Sequence, residues 1–287
     1  VTKTKTYGIM FHYFHNEIHK PSQGSISAEE LEHIINTENV VSAKEWIDDK
    51  GICLTFDDGL KAQYDIALPI LKKHNLTAFW FVNTAMYEGK NITLELYRSF
   101  RNKYYSNINA FYIDFFKEAK IDQKRLPDNY LHEFLFYTEM DRKFRYARDI
   151  VLKKEKYDNI MDRMMINKNV DKEKLANSLW MSKDNLQELK KLGHVIGMHS
   201  HTHPTNMARL PYNIQQLEYE KNIQILTNIL QERPTIMSHP NNSYSSDTLI
   251  LLHKLGIKIG FRSNLNKQKY SELEFPRKDA IYYRGLK

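Results

Sequence analysis

Two clusters of residues carry the chemistry this chain can offer, and each follows a short apolar run. The first is Asp57-Asp58-Gly59, entered from Ile52-Cys53-Leu54-Thr55-Phe56. The second is His199-Ser200-His201-Thr202-His203-Pro204, entered from His194-Val195-Ile196-Gly197-Met198. An apolar run of strand length bounded by a turn signal reads as a buried strand, so both clusters belong where a strand leaves the core. Side chains alternate along a strand, which aims Asp57 and Asp58 in different directions from nearly one point. That suits two roles, one carboxylate on a metal and the other held back as a base. The plainer reading is an acidic turn, since Asp-Gly is a common turn pair. Three histidines at a second strand end weigh against it. A phosphatase-type Asp-x-Asp-Gly signature does not fit, because the two carboxylates here are adjacent.

His199 and His203 are four residues apart, and one helical turn brings such a pair to the same side. With one carboxylate they make three protein ligands and leave a coordination position for water. Imidazole plus carboxylate suits a borderline-soft divalent ion, Zn²⁺ above others. In parallel α/β folds functional groups collect at the C-terminal ends of strands, which predicts that the two clusters meet.

The elements that must position them can be read in order. Tyr7 to His15 is an aromatic-rich first strand with His12 and His15 at its end. Ser27 to Glu30 has the spacing of a capping box and opens a helix. Tyr64, Ala67, Leu68 and Leu71 recur at helical spacing, with Pro69 predicting a kink or an early end. Thr77 to Val82 is another buried strand, and strand–helix–strand order argues for a parallel sheet. From about 91 to 178 the texture turns charged, aromatic and helical, as in Tyr130 to Val151, which predicts a helical insertion acting as a cap or interaction surface. The rhythm then resumes. Ser182 caps a helix with Leu186, Leu189 and Leu192 on one face, stopped by Gly193. An amphipathic helix follows, with Ile214, Leu217, Ile223, Leu226 and Leu230 on its expected buried side. Thr235 to Ser238 is a strand ending in His239-Pro240-Asn241-Asn242, followed by a helix from Thr248 to Leu255 and a strand from Ile257 to Phe261.

The chain has 287 residues with 41% hydrophobic content, enough for a single domain over 1–287 that includes the 91–178 insertion. No run approaches the roughly 20 apolar residues that span a membrane. The start, Val1 to Thr6, lacks the apolar stretch of a secretory signal, which favours the cytoplasm, with a trimmed leader as the alternative for a chain that does not begin with methionine. The one cysteine, Cys53, forbids an internal disulfide and reads as a buried, inert thiol. Net charge is +7, from 42 basic and 35 acidic residues. The lysines are scattered, with no basic stripe interleaved with aromatics and no Gly-rich phosphate loop, so no nucleic-acid partner is expected. The charge reads as a solvated surface mildly favourable to anionic glycans or lipid head groups.

Thr55-Phe56-Asp57-Asp58-Gly59 and His199-Ser200-x-x-His203-Pro204 resemble the first two motifs of the polysaccharide deacetylases, the NodB homology or carbohydrate esterase 4 group. Leu54 to Val82 and Trp180 to Pro204 follow that family's pattern, and Ile236 to Phe261 more loosely. The resemblance implies a distorted (β/α) barrel that removes acetyl groups from N-acetylated sugars with a divalent metal. By it, Asp58, His199 and His203 hold the metal, Asp57 is the catalytic base, and His201 occupies a variable position. There are departures. The third motif usually carries an arginine that orients the catalytic aspartate, and here it reads Ser238-His239-Pro240-Asn241, although Tyr244 still matches as a substrate contact. The late tryptophan is absent, and no histidine follows His253 to act as the acid. Members acting on poly-N-acetylglucosamine carry a histidine on the first strand, which Phe11-His12 resembles. Phe275-Pro276-Arg277 resembles a late motif of longer members, making Arg277 the candidate for the lost arginine.

The mechanism expected from these parts is hydrolysis of an amide. A bound metal lowers the pKa of water and polarises the amide oxygen. Asp57 takes the water proton, the backbone N–H of Asn241 helps hold the oxyanion, and His12, on the predicted rim, protonates the leaving amine. His239 is the rival acid, but if Ser238 faces the site, strand alternation turns His239 away. Two other outcomes stay open: release of another small acyl or formyl group from a glycolipid or nucleotide sugar, and a weakened relative that only binds glycans.

Overall fold

Seven short parallel strands form one sheet: Tyr7–Phe11 (β1), Ile52–Asp57 (β2), Phe79–Val82 (β3), Val195–Met198 (β4), Ile236–Ser238 (β5), Ile259–Phe261 (β6) and Arg277–Asp279 (β7). The structure is a computed structural model describing residues 6–90, 92–132, 137–266 and 271–283. The strand order is β6-β5-β4-β3-β2-β1-β7. Residues 272–279 nearly close this sheet into a barrel, because they serve two neighbours in turn. Gly260 donates its N–H to Glu272 O, and Phe275 bridges Phe261 in parallel. Two residues later β7 pairs with β1, with Gly8 opposite Arg277. The approach at Gly260 leaves no room for a side chain, since a Cβ there would lie 2.4 Å from Leu273 O. This is the distorted (β/α) barrel that the motifs implied.

Alternation along the strands sorts their side chains into two cores. Leu54, Phe56, Trp80 and Val82 join the core packed under the helices. Cys53, Phe79, Phe81 and Phe261 join Trp46 and Phe275 in a separate aromatic cluster on the opposite face of the strands. Each such phenylalanine, buried completely, stabilises the fold by about 1.5–3 kcal/mol. Burial pushes the Cys53 thiol well up, so it stays protonated and inert. Continuing along that second face, Thr55 and then Asp57 follow Cys53, and the polar site begins where the aromatic filling stops.

The helices that hold this arrangement mostly begin where their caps predict. The capping box of Ser27 and Glu30 is formed at the start of Ala28–Thr37. Ser182 caps Lys183–Lys191, and Gly193 at φ +85° ends that stretch, while Leu192 is 40% exposed just beyond the helix. Pro69 sits in the first turn of Leu68–Lys73, directly after a π-helical turn at Gln63–Ala67 that accommodates its missing N–H.

Helix Tyr212–Leu230 buries Ile223, Leu226 and Leu230 as expected, but Ile214 and Leu217 are exposed, and Gln215, Tyr219 and Asn222 complete the buried face. The rotation follows from the hydrogen bonds that Gln215 and Asn222 make inside, to the Thr248 hydroxyl and Leu210 O for the first and around the His199 strand end for the second.

The chain divides into two compact units, 1–92 with 180–287, and 93–179. The second is helical, including Thr93–Tyr104, Ile108–Ala119, Glu139–Tyr146 and Lys154–Asn167, around an aromatic core of Phe100, Phe111, Phe115, Phe144 and Tyr157. Of the helix expected from Tyr130 to Val151, residues 133–136 lie outside the described residues, as do Val1 to Lys5. The described helix begins only at Glu139, behind a capping box of Thr138 and Asp141. No described helix is long and apolar enough to cross a membrane.

Candidate metal centre and active site

β2 ends at Asp57, and the chain leaves it abruptly, with Asp58 at φ +78° and Gly59 at φ +73°. Aspartate tolerates this left-handed region better than most side chains. The turn separates the two carboxylates: Asp57 stays with the inner strand residues, while Asp58 swings to the histidine loop. The loop has the same device. Ser200 at φ +62° and His203 at φ +56° fold residues 199–203 back on themselves, and His203 N–H donates to Ser200 Oγ at 3.2 Å. The histidine pair is therefore brought together by two left-handed residues, not by the helical turn that the four-residue spacing predicted.

His199 is buried, and its Nδ1–H donates to Ser238 O at 2.9 Å, which leaves Nε2 as the ligating nitrogen. Burial is the main cause that pulls its pKa down to about 3, so the imidazole is neutral. Its Nε2 lies 3.2 Å from His203 Nε2 and 3.5 Å from Asp58 Oδ1, and His203 Nε2 lies 3.4 Å from the same oxygen. Two ligand atoms of a tetrahedral zinc site stand about 3.3 Å apart, given bonds of 2.0–2.1 Å. Two imidazole nitrogens and a carboxylate oxygen at these separations fit a divalent ion. Asp58, His199 and His203 also form the metal-type cluster found among the described residues.

Asp57, 2% exposed, has a counter-charge of its own. Arg277, 1% exposed, donates from Nη1 to Oδ1 at 2.7 Å and from Nη2 to Oδ2 at 2.8 Å. The guanidinium is itself held by Arg262 O through Nε and by the Thr55 hydroxyl. Ser238 Oγ accepts from Arg277 Nη2 at 2.7 Å and donates to Asp57 Oδ2 at 3.2 Å. Burial pushes the Asp57 carboxyl up, yet Arg277 outweighs it and holds the group below the usual carboxylate range. Asp57 is thus ionised at neutral pH. His12, just past β1, lies on the other side, its Nε2 3.7 Å from Asp57 Oδ2 and its side chain 28% exposed.

The remaining residues singled out in the sequence lie elsewhere on the rim. His239 is buried and donates from Nε2 to Leu273 O at 2.8 Å, its ring stacked on Tyr244 at 4.1 Å. Tyr244 donates to Glu274. Asn241, at φ +49° in the turn Pro240–Asn242, is exposed. His201 bonds the Thr84 hydroxyl and takes no part in the metal cluster.

Three supporting residues escaped sequence reasoning. Asn222 accepts from His199 N–H through Oδ1 and donates from Nδ2 to Val82 O and Thr84 Oγ1. Glu218, one turn before it, accepts from the backbone N–H groups of His201 and Thr202. Gln63 joins the ends of β1 and β2 by donating to the carbonyls of His12 and Asp57. The available signal was a set of polar residues, Gln215, Glu218 and Asn222, at three- and four-residue spacing on one helix.

With this geometry in place, the sequence profile described as polysaccharide deacetylase matches residues 45–103 and 151–260, more than half of the chain. The chain belongs to the polysaccharide deacetylase family. Asp57, Asp58, His199 and His203 fall inside the matched stretches, whereas His12 and Arg277, which flank Asp57, fall outside. A search of curated protein sequences gives no match.

Among solved structures, this deacetylase-family chain is similar to the Streptococcus pyogenes deacetylase PplD in complex with acetate, at 16% identity and a TM-score of 0.57, covering 97% of this chain and 93% of that one. It is also similar to IcaB from Ammonifex degensii, at 14% identity and 0.54, covering 96% and 91%. The de-N-acetylase from Aggregatibacter actinomycetemcomitans matches at 14% and 0.53, covering 94% and 93%. These likenesses establish the shared fold.

Proposed function

We propose that the barrel is a metal-dependent N-deacetylase acting on an N-acetylated amino sugar of a glycan. The observation that carries this reading is the set Asp58, His199 and His203, spaced to ligate one ion, with the ionised Asp57 beside it. Zinc suits two imidazoles and a carboxylate, and when bound it supplies Lewis-acid polarisation of the amide oxygen and activation of water.

The chain's own residues do the rest. Asp57 accepts the proton of the attacking water as the new C–O bond forms. Arg277 and Ser238 keep its carboxylate ionised and fix its orientation. His12 hands a proton to the nitrogen as the C–N bond breaks, so acetate and a free amine leave. The exposed turn at Asn241, with Tyr244 behind it, lies on the rim where a sugar would rest. Acetate is also the small molecule bound in the S. pyogenes relative.

The test is release of acetate from N-acetylglucosamine oligomers by zinc-loaded protein, compared with Asp57→Asn. Turnover by the parent and none by the variant supports the reading. Release of formate or a longer acyl group instead would move the substrate to another acylated sugar. Zinc retention and glycan binding with no acyl release would make the protein a glycan-binding relative.

A further inference from the structure

The histidine loop adopts a shape that its residue types do not favour. Ser200 at φ +62° and His203 at φ +56° sit in the left-handed region, which is costly for residues with a Cβ. Yet the loop must hold this shape for His203 Nε2 to stand 3.2 Å from His199 Nε2 and 3.4 Å from Asp58 Oδ1. The other two members of the cluster are set by their strands. Asp58 directly follows β2, and His199 directly follows β4, with its N–H on Asn222 and its Nδ1 on Ser238 O. His203 comes four residues later, and its place depends on the course of the chain from 200 to 203.

Glu218 fastens the middle of that course. Its Oε2 accepts from the backbone N–H of His201 at 3.0 Å and of Thr202 at 2.8 Å, and its Oε1 accepts from the Thr202 hydroxyl at 2.6 Å. Three donors thus converge on one half-buried carboxylate. From the side of β3, the His201 carbonyl accepts from the N–H groups of Thr84 at 3.2 Å and Ala85 at 2.9 Å, and His201 Nδ1 bonds the Thr84 hydroxyl at 3.0 Å. Glu218 and Asn222 lie four residues apart on Tyr212–Leu230, so one helix grips the loop at 199 and again at 201–202. Thr202 is exposed, and water would serve its donors almost as well as Glu218 does. What the carboxylate adds there is direction: it holds two successive N–H groups toward one point.

We propose that Glu218 is a positioning residue for the metal centre: by gathering the N–H groups of His201 and Thr202 it keeps residues 200–203 doubled back and so places His203 beside Asp58 and His199. The inference rests on the reading of Asp58, His199 and His203 as ligands of one divalent ion. Bonds from backbone N–H to a carboxylate are charge-assisted and roughly twice as strong as neutral ones, which offsets the strain stored at two left-handed residues. Glu218 bonds the backbone and hydroxyl of the loop, so it acts on the ion through His203. A glutamine at 218 can make the same three bonds, its oxygen accepting from the two N–H groups and its amide N–H donating to the Thr202 hydroxyl, and lacks only the charge. Alanine makes none of them.

Competition of the metal-free full chain with a chromophoric chelator measures zinc affinity in the parent and in each variant. Glu218→Ala should raise the zinc Kd about 10–100-fold, the range for residues that orient metal ligands. Glu218→Met, which keeps the bulk and removes the acceptors, is the second variant should Glu218→Ala not fold, and the same direction is expected. Glu218→Gln should return to within about fivefold of the parent, because it keeps the bonds and loses their charge. With cobalt in place of zinc at saturation, the visible absorption of Glu218→Ala should weaken and shift as His203 loses its place, while Glu218→Gln keeps the parent's spectrum. A fall in urea stability with the cobalt spectrum unchanged would make Glu218 a merely structural residue and overturn the proposal. So would zinc affinities in Glu218→Ala and Glu218→Met within about threefold of a parent that binds zinc saturably, an outcome that leaves the metal centre standing. A parent that binds no zinc, or binds it no better than Asp58→Ala does, overturns the metal centre and the proposal with it.

Discussion

Arg277→Met isolates the contact on which the ionised state of Asp57 rests. Both side chains are essentially out of solvent, and the pair is bidentate at 2.7 and 2.8 Å. Removing one partner of such a pair leaves a buried carboxylate uncompensated, a loss of about 3–5 kcal/mol. For a chain of this length that corresponds to a fall in Tm of about 5–8 °C. The pH dependence gives a sharper test. In the parent the folded pKa of Asp57 lies below its unfolded value of about 3.9, so the stabilisation is present above that pH and is lost as pH falls through the folded pKa. In the variant the largest opposing contribution, that of Arg277, is gone, and the folded pKa rises. A raised pKa reverses the sign: the protonated form is favoured on folding, and stability falls as pH rises through the folded value. The gap between parent and variant should therefore be widest near neutrality and close toward pH 4. Urea unfolding of chelator-treated protein across that range measures it, with chelation keeping a metal's own charge out of the comparison. The double variant Asp57→Asn/Arg277→Met should be more stable than Arg277→Met alone. A gap under about 1 kcal/mol that does not vary with pH would refute Arg277 as the counter-charge, because it is the range of a solvated pair.

Asp58→Ala and His203→Ala should each lose zinc on elemental analysis, and full occupancy in both would displace the metal site from this cluster. Asp57→Asn should keep the ion and lose about 10²–10⁴ in kcat, the range of a general base; a loss of metal as severe as in Asp58→Ala would merge the two carboxylates into one role. His12→Ala should lose turnover with zinc retained, while His239→Ala, remote in its hydrogen bond to Leu273, should keep it. Loss of turnover only in His239→Ala, with metal bound, would assign the acid to His239. Asn222→Ala removes the partner of His199 N–H, Val82 O and Thr84 Oγ1 and should weaken zinc binding about 10–100-fold; unchanged affinity in a competition assay would show that the loop holds its shape without Asn222.

What the sequence could show of this site divides along a physical line. Strand ends are local: Phe56 into Asp57, or Met198 into His199, announces itself because an apolar run meets a polar cluster within a few residues. Caps are local too, and Ser27 with Glu30 or Ser182 with Asn185 closes its hydrogen bonds within one turn. The geometry that makes a site of these ends is not local. The backbone at Ser200 and His203 adopts φ values that their residue types do not announce, so the histidine spacing suggested a helix where the chain makes a doubled-back loop. The buried face of Tyr212–Leu230 is set by what Gln215 and Asn222 bond across the barrel, which a count of leucines and isoleucines cannot register. Arg277, which the resemblance to a late motif named but no local pattern could place, is the clearest case. It sits 220 residues from Asp57, on a three-residue strand with almost no apolar signal, and reaches the site only because 272–279 pairs first with β6 and then with β1. Ser238 explains why that distant arginine fits. A serine at the end of β5 is short enough to leave room for a guanidinium arriving from β7, and its hydroxyl bridges the arginine and the aspartate. A larger side chain at 238 would fill the space that Arg277 occupies. Ser238 and Arg277 therefore form one solution to keeping Asp57 charged inside the barrel, and a change at either position alters the electrostatics of the same carboxylate.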